Sequence, residues 1–248
     1  MRDPSVNFGE AAGRYETFRP SYPGEVFDFL LEHLSSGCTR AVDLGAGTGQ
    51  ATRKLAALFA RVTAVEPDAR LAKEARLPSH AEIVVQSAED ASFEPASVDA
   101  VVSATAFHWM NQPLICRRAA QWLKSGGVFF PFAYDAFEVD GAAGDLYRAE
   151  FAKWAAYRDR RLIDCYDYRR PLEDSGAFES VVPFSFKSRH EISHEAAAGL
   201  ISTFSFARDY ARDNGGEAYF QTLKEKLKTL GETVSFVVPV IGALGVKA

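Results

Sequence analysis

The chain has 248 residues, 47% hydrophobic and 25% charged, with a formal net charge of −5 at pH 7. That length suits one large domain, or a domain with an elaborated cap, and the apolar content is ample for a core. The acidic balance argues against a general nucleic-acid binder, and no apolar run reaches the length of a membrane span. Cys38, Cys116 and Cys165 are odd in number and form no CxxC pair, so reduced thiols in a cytoplasmic protein are expected and a structural zinc is not. The polar stretch Met1 to Glu10 has no signal-peptide character.

Pro20 and Pro23 stop any helix in the stretch from Met1 to Pro23, which reads as an extended or turning arm. Its aromatics, Phe8, Tyr15, Phe18 and Tyr22, must pack on something. Glu25 to Leu34 carries Val26, Phe27, Phe29, Leu30 and Leu34 on one helical face, and Gly37 ends it. A short apolar strand then ends at Asp43, followed by a turn holding Gly45, Gly47 and Gly49 and a helix opening near Gly49. Glycines at alternate positions let the backbone take positive φ and approach a ligand closely. Free N–H groups at the helix start would suit a carboxylate or phosphate. The dinucleotide fingerprint needs a sixth-place glycine, where Gln50 stands, and the Lys-Ser/Thr of a P-loop is absent.

Arg61 to Glu66 is a second apolar strand ending in an acid, broken by Pro67 and Asp68. A carboxylate about 20 positions past the glycine loop is placed to accept hydrogen bonds from two ribose hydroxyls, which makes Glu66 a candidate. Further strands are expected at Ala81 to Gln86, Val98 to Ser103 and Val128 to Tyr134, the last opened by a turn at Leu123 to Gly127. Strand and helix thus alternate five times from Arg40 to Tyr134, the sign of a parallel sheet with helices on both faces. Gly45, Glu66, Ala88 and Ala104 all fall at the carboxyl ends of strands, where such sheets bind ligands. After Tyr134 the pattern turns helical: helices are expected at Asp145 to Tyr157, Ser193 to Phe206 and Asp213 to Leu230, with strands at Phe178 to Arg189 and Thr233 to Val240.

The stretch Asp43-x-Gly45-x-Gly47-x-Gly49 resembles motif I of the class I S-adenosylmethionine-dependent methyltransferases, and the later strand ends follow in that family's order. The arm Arg14-Tyr-Glu-Thr-Phe-Arg-Pro-Ser-Tyr-Pro is similar to that of methyltransferases related to trans-aconitate methyltransferase. The resemblance implies an α/β, Rossmann-like, doubly wound seven-stranded sheet, mostly parallel with the last strand antiparallel, and a helical cap. It implies a single domain: arm and helix over 1–36, cofactor core over 37–134, cap insertions over 135–177 and 190–232. The implied cofactor is S-adenosyl-L-methionine, leaving as S-adenosyl-L-homocysteine. Its implied contacts are Asp43, Gly45, Ala46, Gly47, Gly49, Glu66, Pro67, Ser103 and Ala104, with Ala88 and Glu89 at the adenine edge. Tyr15 and Arg19 would line its methionine end, or else belong to a surface arm plugging a groove.

His108 and Trp109 follow the fourth strand, where the transferable methyl should point. His108 is a candidate general base or substrate anchor, or a structural histidine; Trp109 is a pocket wall or a core residue. Phe204 resembles a family residue facing the acceptor, and helical core packing explains it nearly as well. Arg158, Arg160, Arg161, Arg169 and Arg170 would clamp an acidic acceptor or pair with the interleaved Asp159, Asp164 and Asp167. No acidic cluster suggests a metal. Methyl transfer to a carboxylate or hydroxyl oxygen of a small molecule is expected, by a cytoplasmic monomer or homodimer without nucleic-acid or membrane partners. A non-catalytic cofactor-binding protein and an NAD-dependent oxidoreductase are the alternatives.

Overall fold

A computed structural model describes residue 13, residues 17–162 and residues 167–248; Tyr15, Arg14, Asp164 and Cys165 lie outside the described residues. The elements run α1 (Gly24–His33), β1 (Arg40–Leu44), α2 (Gln50–Ala56), β2 (Arg61–Glu66), α3 (Ala69–Glu74), β3 (Ala81–Val85) and β4 (Val98–Ala104). They continue as a short 3-10 turn (Phe107–Trp109), α4 (Gln112–Trp122), β5 (Leu123–Tyr134), β6 (Glu138–Val139) and α5 (Gly141–Trp154). After further 3-10 turns come α6 (Arg169–Asp174), β7 (Ser180–Ile192), α7 (His194–Ser202), α8 (Ser205–Asp213), α9 (Glu217–Lys228) and β8 (Val234–Val246). The chain divides into two compact units: one of Ser21–Tyr134, Asp164–Phe186 and Val240–Ala248, the other of Met1–Pro20, Asp135–Ile163 and Lys187–Pro239.

In the first unit the strands pair in the order β3-β2-β1-β4-β5, all parallel. The end of β8 then pairs antiparallel to β5, with Phe132 opposite Gly242 and Tyr134 opposite Val240. This is the expected mostly parallel sheet with an antiparallel last strand. β1 and β4 are continuous buried runs, as strands covered on both faces must be. β3, at the edge, alternates and leaves Val85 half exposed. Helix α1 buries Val26, Phe27 and Leu30, and Phe27 meets Phe132 of β5 edge-on at 6.2 Å. Burying three such side chains contributes roughly 5–9 kcal/mol by area.

Two departures from the sequence expectation fall at β8 and β5. The last strand reaches Val246, because Gly242 and Gly245 continue the ladder and bring it close to its neighbours. A Cβ on Gly242 would stand 2.6 Å from the Pro131 carbonyl oxygen. The turn expected at Leu123 to Gly127 is a wide bulge within β5: Leu123 opposes Val98, yet Val128 already opposes Ala100. Asp99 sits at this bulge, fully buried, and accepts hydrogen bonds from Thr39 N (3.0 Å), Arg40 N (2.8 Å) and Lys124 Nζ (2.8 Å). Three donors make that buried carboxylate tolerable, at the end of β4 away from the ligand-binding side.

In the second unit β6 pairs antiparallel with Phe236 and Val237 of β8, adding an eighth strand to the seven expected. The long helix expected from Ser193 to Phe206 is split. Ser193 caps α7 as expected, its side chain accepting from Ala196 N. The hydroxyls of Ser202 and Thr203 donate back to the Gly199 and Leu200 carbonyls, a local alternative to continuing the helix. Phe204 is then extended and opens α8. Phe18 of the arm packs against α7 where Gly199 has no side chain to obstruct it. The helix expected from Asp213 starts only at Glu217, since Gly215 and Gly216 take φ of +105° and +60°. Glu150 is buried on α5, where Tyr219 Oη (2.6 Å), Lys153 Nζ (2.8 Å) and Lys226 Nζ (3.2 Å) all donate to it. Burial alone would raise its pKa, but these hydrogen bonds hold it below the usual value.

Candidate functional site

The glycine loop lies between β1 and α2. Gly45, Gly47 and Gly49 take φ of +73°, +59° and +84°, as alternate glycines allow. Their surroundings differ. A Cβ on Gly45 would overlap Ala106, one on Gly49 would stand 2.6 Å from Leu77 Cδ2, and one on Gly47 would meet nothing within 4 Å. Gly45 and Gly49 are glycines for packing, whereas Gly47 faces open space. The amides of Gly45 and Ala46 both donate to Val65 O (2.8 and 3.1 Å), which ties the loop to β2. α2 is only seven residues long, so the loop itself, more than a helix dipole, shapes this end of the sheet.

Glu66 ends β2 with its carboxylate buried. Oε2 accepts from Gly47 N (2.8 Å) and Oε1 from Asp68 N (2.9 Å). Pro67 between them has no N–H, so Asp68 supplies the second donor. Two of the carboxylate's four acceptor sites are thus used by backbone, which leaves capacity for a diol. Burial pushes the Glu66 pKa up, opposed by these amide hydrogen bonds. Asp68 caps α3 through Arg70 N and pairs with the Arg70 guanidinium at 2.7 Å, which holds its pKa down.

Asp43 is fully buried at the end of β1. Thr52 Oγ1 donates to its Oδ2 at 2.6 Å, while its Oδ1 is buried with no hydrogen-bond partner. Burial raises its pKa to about 7, the Thr52 hydrogen bond opposes this, and the Glu66 charge adds to it. Gln50, where a dinucleotide loop needs glycine, also buries an acceptor, Oε1, without a partner. An orphaned acceptor is costly unless something donates to it. The loop therefore fits a ligand that carries hydrogen-bond donors and lies over Gly47.

The other expected residues of this unit lie near the ends of β3 and β4 and in the turns that follow them. Ala88 is buried, and Glu89 Oε1 accepts from Asn111 N (2.7 Å), the cap of α4. Ser103 donates to Leu44 O (3.0 Å), joining β4 to β1 just before the loop. Ala104 ends β4, and the chain turns through Thr105, which holds a φ of +55°. His108 is buried, its Nδ1 3.1 Å from Tyr168 Oη and its ring 5.0 Å from that of Trp109. Tyr22 and Gln50 stand out in the sequence, though not as site residues, and Thr52, Thr105, Met110 and Tyr168 do not stand out. Of these last four, only Thr52 neighbours the motif closely enough to have been found.

Arg19 and Phe204 belong to the other unit. Arg19 Nε donates to Thr203 Oγ1 (2.8 Å), and its guanidinium lies 5.1 Å from the Phe204 ring and 5.5 Å from Phe137. Phe204 is buried and stacked on Phe137 at 5.2 Å. Arg161 pairs with the interleaved Asp159 at 2.8 Å, whereas Arg169 pairs with Glu173 at 2.5 Å and Arg170 with Asp174 at 3.4 Å, acids outside the interleaved set. Such exposed pairs are worth little. Among the described residues no metal-binding cluster occurs, and no helix is long and apolar enough to cross a membrane.

Residues 42–130 match the family model described as a methyltransferase domain. An uncharacterized methyltransferase of Mycobacterium tuberculosis is 39% identical over 128 residues, 51% of this chain and 51% of that protein. A ubiquinone biosynthesis O-methyltransferase of Xanthomonas campestris is 36% identical over 110 residues, 42% of this chain and 46% of that protein. The chain thus matches about half the length of these curated relatives. A solved structure from Anaeromyxobacter dehalogenans, described as a type II methyltransferase, shares the fold with a TM-score of 0.76 at 24% identity, over 92% of this chain and 98% of that one. Sequence similarity over the sheet core and a shared fold over nearly the whole chain point the same way: residues 42–130 are similar to a methyltransferase domain, and the chain has the fold of that solved structure.

Proposed function

We propose that the protein transfers a methyl group from S-adenosyl-L-methionine to an oxygen, carboxylate or hydroxyl, of a small molecule. The observation that carries this proposal is the open left-handed backbone at Gly47, with Glu66 bonded to its amide and the unpartnered Asp43 Oδ1 close by in the fold. When bound, the cofactor supplies a methyl on a sulfonium, an electrophile that needs alignment and a dry pocket. Asp43, Gly45, Ala46, Gly47 and Gly49 would hold it, Glu66 and Pro67 would engage its ribose end, and Ala88, Glu89, Ser103 and Ala104 would complete the rim. Arg19 is assigned as its carboxylate partner, and Trp109 and Phe204 as acceptor contacts, on family resemblance.

His108 is the proposed base. With the proton on Nδ1 donated to Tyr168 Oη, Nε2 keeps its lone pair and takes the proton of a hydroxyl acceptor. A carboxylate acceptor is already ionised and needs no base. Similarity to an O-methyltransferase supports an oxygen acceptor, and the net charge of −5 favours a small molecule over nucleic acid.

Isothermal titration with S-adenosylhomocysteine, with NAD as control, tests the cofactor assignment. Micromolar binding of the former, none of NAD, and loss of binding in Gly47→Arg are expected. Binding of NAD alone would sink the proposal. Binding without turnover across a panel of small acids and phenols would favour a cofactor-binding protein that is not an enzyme.

A further inference from the structure

We propose that Tyr22 and Thr105 are positioning residues of the cofactor loop: their hydrogen bond holds a strained turn that wedges Ala106 against Gly45. This deepens the methyl-transfer proposal and rests on it. Thr105 follows β4 with a φ of +55°, and a β-branched residue in the left-handed region is a genuine outlier. Such strain persists only where the surroundings over-determine it, and it clusters at functional sites.

Here the surroundings are explicit. Thr105 N donates to Phe132 O at 2.7 Å, and Thr105 Oγ1 lies 2.6 Å from Tyr22 Oη. Tyr22 is itself fixed, 4% exposed, stacked on Tyr134 at 4.8 Å and edge-on to Phe132 at 5.0 Å. One residue on, Ala106 packs so closely on Gly45 that a Cβ there would overlap it, and Met110 Cε closes the same space at 3.1 Å. The other side of the loop is held by the Val65 carbonyl, which accepts from Gly45 N and Ala46 N. The loop is therefore gripped between β2 and the Thr105 turn, and Tyr22 is the clamp on that turn. Two residues past Ala106, the same turn carries His108.

Weakening the clamp allows Thr105 to relax to negative φ, which withdraws Ala106 and loosens the loop. Tyr22→Phe removes only the hydroxyl and keeps the ring packing. The expected result is a Kd for S-adenosylhomocysteine raised about 5- to 10-fold in the full chain, within the range set by losing one hydrogen bond. Combining Tyr22→Phe with Thr105→Gly removes both partners of the bond. Glycine takes the same φ without strain, so the double variant is expected to return to within about twofold of the wild-type Kd, a non-additive rescue. Thermal melts alongside report folding separately. A Tyr22→Phe protein with a lowered melting temperature and an unchanged Kd would overturn the positioning role and leave the methyl-transfer proposal standing. So would a double variant that binds no better than Tyr22→Phe. A wild-type protein that fails to bind S-adenosylhomocysteine would overturn both.

Discussion

Gly45 and Gly47 make the same backbone demand in opposite surroundings, so alanine at each position separates folding from binding. Both hold left-handed φ, +73° and +59°, which costs an L-residue roughly 1–2 kcal/mol. At Gly47 nothing lies within 4 Å of the new Cβ, so that conformational cost is the whole penalty. At Gly45 the Cβ overlaps Ala106 and approaches Met110 Cε to 3.1 Å, and overpacking of this kind adds roughly 1–3 kcal/mol. Gly45→Ala is therefore expected to lose about 2–5 kcal/mol, against about 1–2 kcal/mol for Gly47→Ala. In a chain of this size each kcal/mol moves Tm by about 2–4 °C, so drops of roughly 4–20 °C and 2–8 °C follow. The order reverses for binding, because the Gly47 methyl takes up the space a cofactor needs at the loop. Gly47→Ala is expected to weaken S-adenosylhomocysteine binding by about 10- to 100-fold, or about 1.4–2.8 kcal/mol. Calorimetric melting with and without that ligand, plus a titration of each variant, reads both effects. Wild-type affinity in Gly47→Ala, or a Gly45→Ala protein no less stable than Gly47→Ala, would refute the division of labour between the two glycines.

Asp43 titrates at about 7 in the folded state against an ordinary 3.8. The folded chain thus binds a proton that the unfolded chain releases, and the associated stability is complete below about pH 4 and lost as pH rises through about 7. Asp43→Asn is expected to flatten that part of the profile in urea melts at about pH 5 and about pH 8, and an identical decline in both proteins would contradict it. Glu66→Gln cannot accept from both Gly47 N and Asp68 N without turning a donor toward a donor. Its affinity for S-adenosylhomocysteine should fall about tenfold or more by titration, and unchanged affinity would remove Glu66 from the site. His108→Gln should slow hydroxyl acceptors by about 10²–10⁴ in kcat while sparing carboxylate acceptors, and equal losses on both would end its role as a base.

The parts of the site that were legible in the sequence are those built from neighbouring residues. Asp43 to Gly49 forms its loop because each glycine meets a local φ demand, and Glu66 stands at the end of a strand whose apolar run and Pro-Asp terminator are contiguous. β2 came out residue for residue, since its pattern and its stop signal are both local. Where local signals compete, the reading slipped. Ser202 and Thr203 look helical by periodicity, yet their hydroxyls bond backward and end α7. Gly242 and Gly245 look like breakers, yet they extend β8 because its neighbours crowd it.

What only the tertiary structure decided is long-range. Tyr22 reaches Thr105 across 83 positions and His108 reaches Tyr168 across 60, and no spacing rule links such pairs. The strain at Thr105, the packing need at Gly45 and the orphaned oxygen of Asp43 all depend on which strands lie side by side. The sequence by itself determined the central strands, the glycine loop and the acid that ends β2, because hydrophobic period and φ preference are properties of short segments. The parallel sheet then brought the strand ends together. Burial there decided which carboxylate has its pKa raised to about 7, which glycine faces open space and which hydroxyl clamps a turn, because desolvation and steric exclusion exist only once the chain has closed on itself.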